Sequence, residues 1–413
     1  MKYLRYPAYK DSGIEWIGEI PEHWKLTKLK NVCHFNYGDS LPAEHRLEGK
    51  FPVFGSNGII GYNNLTNTGS PTIIIGRKGS YGKLVYSSLS GFAIDTTFYV
   101  NEKIAKVNLK WLYYALMVLN LDTISLDTGV PGLSREDAYE KIIVLPNNEE
   151  QFSISNFLDS KTKKIDALIT KHHNMIELLK EKRQAIITSA VTKGLDPNVP
   201  MKDSGIKWIG EIPEHWKLSR IKFVSEVTMG QSPPSDSYLD HGKLPFLQGC
   251  AEFGENFPNP KNYCEIATKI SYPGDILLSV RAPVGELNLS DRVYGIGRGL
   301  CSIRPLRTGV DYLKWYLLAV KNNLISLSNG STYDAVTISE VKNLEIPISE
   351  DKFEQNTISE YVNTVTTKID ILISKHLRLI DFLKEYKTSL VTQVVTGKID
   401  VRGFAVSSTS NNV

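Results

Sequence analysis

The stretch DSGIEWIGEIPEHWKL fills residues 11–26, and DSGIKWIGEIPEHWKL fills residues 203–218. Fifteen of the sixteen positions agree, and only Glu15 against Lys207 differs. The copies stand 192 residues apart, Asp11 to Asp203. A second pair follows: ISNFLDSKTKKIDALITKHHNMIELLKEKRQAIITSAVT (154–192) against ISEYVNTVTTKIDILISKHLRLIDFLKEYKTSLVTQVVT (358–396), at an offset of 204. KWLYYAL (110–116) against KWYLLAV (314–320) keeps that offset, and LSREDAYEKIIVLP (133–146) matches ISEVKNLEIP (338–347) more weakly. An internal repeat settles architecture before any single element does. Each half therefore reads as motif, variable region, short Lys-Trp helix, Pro-ended strand and long helix. The growth of the offset places twelve added residues in the variable part of the second half.

The variable regions (about 27–150 and 219–352) are rich in Gly, Pro, Asn and Ser, with short apolar runs such as TIII, FAIDTTFYV and DILLSV. Runs of this length between turn residues predict strands. The segments 152–192 and 356–396 carry apolar residues at 3–4 spacing and no Gly or Pro until Gly194 and Gly397. That pattern predicts two helices of about 40 residues, roughly 60 Å each at 1.5 Å per residue. A lone amphipathic helix of that length leaves its stripe wet, and the simplest partner is the other copy, packed antiparallel. The expected seam is Ile165, Leu168, His172 and Leu179 against Ile369, Leu372, His376 and Leu383. His172 and His376, near the helix midpoints, would meet there. Trp16, Trp24, Trp208 and Trp216 are too apolar to leave in water, so the repeated motif reads as a bracket fixing each domain to the helices.

These elements predict an α+β chain: two strand-rich globular domains and two long antiparallel helices in a pseudo-two-fold internal repeat. The expected boundaries are 1–151 and 199–355 for the globular domains, 152–198 and 356–400 for the helices with the first linker, and 401–413 for a disordered tail. The chain has 413 residues, 41% hydrophobic and 23% charged, with net charge +3. A balance this close to neutral means that any phosphate-binding surface is local. No apolar run approaches the ~18 residues of a membrane span, and MKYLRYPAYK lacks the apolar core of a signal peptide. Cys33, Cys250, Cys264 and Cys301 are scattered without a CxxC pair, which predicts free thiols in a reducing cytoplasm and no metal site.

Chemistry is hard to place. No phosphate loop, GxGxxG preceding a helix, GxSxG elbow or HExxH occurs. NPK (259–261) is not the Asn-Pro-Pro-aromatic segment of adenine methyltransferases, and PGD (273–275) lacks the partners of a nuclease core. No catalytic residue is assigned. Binding loops are better supported. GRKGSYGK (76–83) offers Arg77, Lys78, Ser80 and Tyr81 on a backbone that glycines let approach a ligand. SVRAPVGE (279–286) sets Arg281 opposite Lys78 when Gly82 and Gly285 are matched, and GIGRGL (295–300) adds Arg298. The small-residue loops DTGVPGLS (127–134) and SNGSTYDAVT (328–337) add Arg135, which directly follows the first, and Ser331, Thr332 and Tyr333.

In this order, and twice over, these motifs resemble the DNA-specificity subunit of type I restriction–modification systems, over about residues 9–397. The resemblance implies two target-recognition domains, each reading half of an asymmetric split sequence in double-stranded DNA, with the helices as a ruler. It implies docking of two methyltransferase subunits and joining of restriction/translocase subunits. The chain itself would bind no cofactor; the partners would bring S-adenosylmethionine, ATP and Mg2+. Two other classes compete: a coiled-coil adaptor with two ligand-binding domains, and a catalytic fragment lacking its usual motif. Sequence preference of the assembled complex separates the first from DNA reading, and methyl transfer by the chain alone separates the second.

Overall fold

A computed structural model describes residues 4–123, 132–234, 237–328 and 335–404. The repeated motif forms the same hairpin twice. Tyr9–Asp11 pairs antiparallel with Glu19–Pro21, and Met201–Asp203 with Glu211–Pro213. Asp11 and Asp203 each accept a hydrogen bond from the glycine two residues on, which starts the turn.

The chain divides into two units, residues 1–172 with 377–413 and residues 173–376. In the first, Lys25–Lys28 pairs with Ile142–Leu145, so one strand from each end of the variable region closes it. A four-stranded antiparallel sheet runs in the order Asn36–Tyr37, Thr97–Asn101, Thr72–Gly76, Leu84–Ser87. A smaller sheet holds Gly58–Asn63, Phe51–Gly55 and Phe92–Ala93, the last pair parallel. The second unit repeats the plan. Lys217–Arg220 pairs with Glu345–Ile348. Its four-stranded sheet runs Ser225–Met229, Leu300–Pro305, Ile276–Ser279, Leu287–Leu289. Its smaller sheet has five strands, two more than in the first unit, and keeps the parallel pair Leu244–Leu247 with Tyr294–Ile296.

The long helices span Asn148–Lys193 and Lys352–Val395. Both begin four residues before the expected starts, because the preceding polar residues cap them. Asn147 Oδ1 accepts from Glu150 N, and Asp351 Oδ1 from Phe353 N. Within each unit the start of one helix lies beside the end of the other. Trp24 and Trp216 are both fully buried and make that junction. Trp24 Nε1 donates to Glu150 Oε2 at 2.9 Å, and a Cβ on Gly397 would sit 2.8 Å from its ring. Trp216 Nε1 donates to Glu354 Oε1 at 3.1 Å, and its ring packs by Gly194. His23 and His215 contact the same two carboxylates. The bracket is therefore a tryptophan clamped between a helix start and a helix end. Trp16 and Trp208 depart from expectation: they are 52% and 37% exposed.

Antiparallel packing is also fixed by ion pairs at matched positions: Lys387 with Asp166 at 2.7 Å in the first unit, Arg183 with Asp370 at 3.0 Å in the second. The seam differs from the expected set in one respect. Ile165 and Ile369 are buried, and His172, Leu179, His376 and Leu383 are half-buried, but Leu168 and Leu372 are exposed. Ile169 and Ile373 take their places. The i+3 and i+4 positions lie side by side on a helix, and a two-helix seam is wide enough for only one of them. His172 ends a segment of the first unit and His376 ends the second unit.

The short helices also correct the sequence alignment. Asn108 N donates to Gln151 Oε1, and Gly309 N to Gln355 Oε1, immediately before helices Leu109–Val118 and Val310–Ala319. Asn108 thus matches Gly309, and the shared Lys-Trp pairs are out of step by three residues. Trp111 corresponds to Tyr312, and Tyr114 to Trp315; a slip of nearly one turn keeps the apolar face inward. Residues 401–404, expected within a tail, are packed: Val401 is buried, and the rings of Phe404 and Phe157 lie 4.9 Å apart. The rest of that expected tail lies outside the described residues.

Candidate nucleic-acid interface

In each unit the central strand of the four-stranded sheet runs outward from the core into a glycine loop. Ile73 to Ile75 and Ile276 to Leu278 are buried, and the predicted cations follow within three residues, Arg77 and Lys78 after Gly76, and Arg281 after Ser279 and Val280. Shared hydrogen bonds fix the correspondence. Arg77 N donates to Thr96 O, Leu133 N to Arg77 O, and Gly82 N to Gly76 O; Val280 N donates to Gly299 O, Val336 N to Val280 O, and Gly285 N to Ser279 O. Arg77 therefore matches Val280, and Lys78 matches Arg281. Both Lys78 and Arg281 are exposed, and each forms one isolated bridge to the loop that follows the short helix, to Gly132 and Ala335. The glycine match anticipated this placement.

The structure gathers part of the first set around an aromatic ring. Arg77 and Arg135 each hold a guanidinium carbon 4.9 Å from the centre of the Tyr37 ring. Arg77 Nη1 donates to Asp95 O at 3.0 Å, and Arg135 Nη2 lies 3.2 Å from Glu136 Oε1. Tyr37 is 45% exposed at the end of its strand. Two guanidiniums on one exposed ring form a planar, donor-rich face of the kind that meets bases and phosphates. Ser80 and Tyr81 stay in the loop but differ in role. The Ser80 carbonyl closes on Gly76, while the half-buried Tyr81 ring packs against the main core. Nothing in FNYGDS (35–40) announced Tyr37, because its importance comes from two arginines remote in sequence.

In the second unit Arg281 and Arg298 flank the Val280–Gly299 hydrogen bond, and both are exposed. Gln248, which sequence reading did not single out, is hydrogen-bonded to Tyr238 and to Ser232, whose hydroxyl also accepts from Arg298 N. Ser331, Thr332 and Tyr333 lie outside the described residues.

Elsewhere the chemistry is quiet. The four cysteines are unpaired, and burial pushes the Cys33 and Cys301 thiols up to about 12, away from thiolate reactivity. Among the described residues, no group of three or more His, Cys, Asp or Glu is placed to hold a metal ion. No helix among them is long and apolar enough to cross a membrane.

This doubled plan, with cation-bearing loops leaving matched sheets, is that of a two-headed recognition scaffold. The sequence model of the type I restriction modification DNA specificity domain matches residues 21–178 and again 213–379, so the chain belongs to that family. It is 34% identical over 265 residues to the putative type I restriction enzyme MjaX specificity subunit of Methanocaldococcus jannaschii, a match spanning 63% of this chain and 60% of that relative. The MjaVIII specificity subunit of the same organism is 22% identical, with 93% and 94% covered. The fold is similar to a solved chain from work on assembly and conformational transition of the type I R-M system (TM-score 0.72, 22% identity, 91% and 98% covered). The HsdS subunit of Thermoanaerobacter tengcongensis gives a TM-score of 0.52 at 23% identity, with 92% and 98% covered.

Proposed function

We propose that this chain is the DNA-reading subunit of a type I restriction–modification complex and performs no chemistry itself. Each domain reads one half of a bipartite site, and the two halves differ in sequence. One observation carries this reading. The two domains share a backbone frame almost hydrogen bond for hydrogen bond, yet differ in the side chains that the frame presents around Lys78 and Arg281. Divergence at the outward face of an unchanged frame is what two different half-sites require.

Methylation of adenine and cleavage fall to partner subunits, which bring S-adenosylmethionine, ATP and Mg2+. The repeated motif supports two equivalent docking places for one kind of methyltransferase partner. Trp16 and Trp208 are exposed at matched positions, and a large exposed aromatic kept in both copies fits a contact made twice. The complex works where the DNA is, in the cytoplasm.

The test is co-expression with the methyltransferase partner followed by per-base methylation sequencing. Methylated adenines should fall in one asymmetric, split sequence. Methylation without sequence preference, or methyl transfer by this chain alone, would sink the proposal.

A further inference from the structure

Gln248 leaves the core at the end of strand Leu244–Leu247, directly after two fully buried residues, Phe246 and Leu247. Its side chain is exposed, yet its amide is held. Ser232 Oγ lies 3.2 Å from Gln248 Oε1 and 3.1 Å from Nε2, and Tyr238 OH donates to Oε1 at 3.1 Å. Ser232 Oγ itself accepts from Arg298 N at 3.2 Å, which leaves its proton for Gln248 Oε1. The arrangement also requires a bare backbone at Gly297, where a Cβ would stand 2.8 Å from Gln248 Oε1 and 3.0 Å from the Phe246 ring. An exposed glutamine on a surface ordinarily wanders through its rotamers; this one is fixed by two hydroxyls and a glycine.

The direction of the held amide decides what it can read. Oε1 accepts from both hydroxyls and Nε2 donates one hydrogen to Ser232 Oγ, so what the amide has left to offer is its second Nε2 hydrogen, a donor. Arg298 stands one residue from both Gly297 and the Val280–Gly299 hydrogen bond, exposed, and its guanidinium has no partner among the described residues. A guanidinium also offers only donors. Two donor-bearing residues tied to the same Ser232 hydroxyl match a pair of acceptors, and guanine presents N7 and O6 as adjacent acceptors in the major groove. The first domain has nothing equivalent here. The parallel pairings Leu247–Ile296 and Phe54–Ala93 put Gly55 where the second domain has Gln248, and Asp95 where it has Arg298.

We infer that Gln248 and Arg298 are base-reading residues of the second domain, directed at guanine in its half-site, with Tyr238 and Ser232 as positioning residues. This rests on the DNA-reading function proposed above and assigns part of its specificity. The test uses the full chain assembled with its methyltransferase partner, and per-base methylation profiles for wild type, Gln248→Ala, Arg298→Ala and Tyr238→Phe. Each of the first two variants should lower discrimination at a G·C pair of the second half-site by about 5- to 100-fold, the loss of one good base contact. The first half-site should be unchanged, and Tyr238→Phe should relax the Gln248 position to a smaller degree. Unchanged profiles, relaxation confined to A·T pairs, or a uniform fall on all sequences would overturn the assignment. A wild-type complex with no sequence preference would overturn the functional proposal as well, whereas a discriminating wild type with indifferent variants would overturn this inference alone.

Discussion

At one matched position the two domains have chosen opposite chemistry. Tyr37, Arg77 and Arg135 in the first domain correspond to Met229, Val280 and Ile338 in the second, by the shared strand and loop hydrogen bonds. The first trio is an exposed ring between two guanidiniums. The second is part of the apolar core, with Val280 fully buried and Met229 and Ile338 packed against it. The second domain has an exposed cation across the adjacent turn instead, at Arg298. The lesson is that the backbone plan fixes where the proposed reading surface stands but not which strand supplies it. The exchange leaves the backbone hydrogen bonds of the frame in place, and the first trio adds to them a side-chain bond from Arg77 Nη1 to the Asp95 carbonyl.

If the frame is common and the face is not, frame variants should act alike in the two halves and face variants should not. Trp24→Ala and Trp216→Ala should have the largest effects, each costing about 3–5 kcal/mol of stability in urea unfolding as a fully buried aromatic is lost. Trp24→Ala should cost more, since Glu150 is 3% exposed and Glu354 28%, so the carboxylate left behind is harder to hydrate. Equal effects would show that the carboxylates do not matter.

The loop glycines come next. Gly82 and Gly285 both lie in the left-handed region, at φ 76° and 86°. A Cβ at Gly82 would stand 2.2 Å from the Asp122 backbone nitrogen, whereas at Gly285 the nearest atoms belong to the Lys321 side chain, its Cγ at 2.8 Å. Gly285→Ala should cost about 1–2 kcal/mol, the left-handed penalty with a shift of the Lys321 side chain, and Gly82→Ala, which meets backbone, about 3 kcal/mol or more. Thermal melting of both variants checks the order.

On DNA, Arg77→Ala should weaken the first half-site alone, by about 1–3 kcal/mol at one position. Val280→Ala at the matched place should lower folding stability and leave base preference untouched. Methylation profiles and melting curves together separate the two outcomes; a changed second half-site with Val280→Ala would break the comparison.

The smallest effect is electrostatic. Glu140 accepts hydrogen bonds from Lys28 and Lys30, which hold its carboxyl down to about 2, and the matching pair in the second domain is Lys222 with the neutral Asn343. A depressed carboxyl contributes stability above its ordinary value near 4.5 and loses it as pH falls toward 2. Glu140→Asn should flatten the decline of melting temperature between pH 4.5 and 2, and high salt should shrink the difference because the pair is exposed.

Much of this was legible in the sequence. Repeats gave the duplicated plan, and the glycine match placed Lys78 opposite Arg281. What was missed shares a physical cause. Whether Leu168 or Ile169 faces a seam depends on the width of the opposing surface, not on spacing. Whether Trp16 is buried depends on what packs over a hairpin. The Lys-Trp match misled by three residues because an amphipathic helix accepts a slip of nearly one turn. Tyr37 and Gln248 owe their proposed roles to Arg135 and Tyr238, which approach only through tertiary structure.

The bracket around Glu150 and Gly397 has a consequence for the order in which the chain matures. The second unit is one continuous segment, residues 173–376, while the first needs residues 1–172 together with those beyond 376. Tyr9 donates to the Gly397 carbonyl, and Asp400 N donates to the Leu4 carbonyl, so segments before and after the second unit together close the first. On a ribosome, the domain synthesised first is thus the one finished last. Until residue 400 emerges, Trp24 lacks half of its clamp, and the seam face of the helix segment before His172 is uncovered. Such a window of exposed apolar surface is where chains of this topology are open to misassembly.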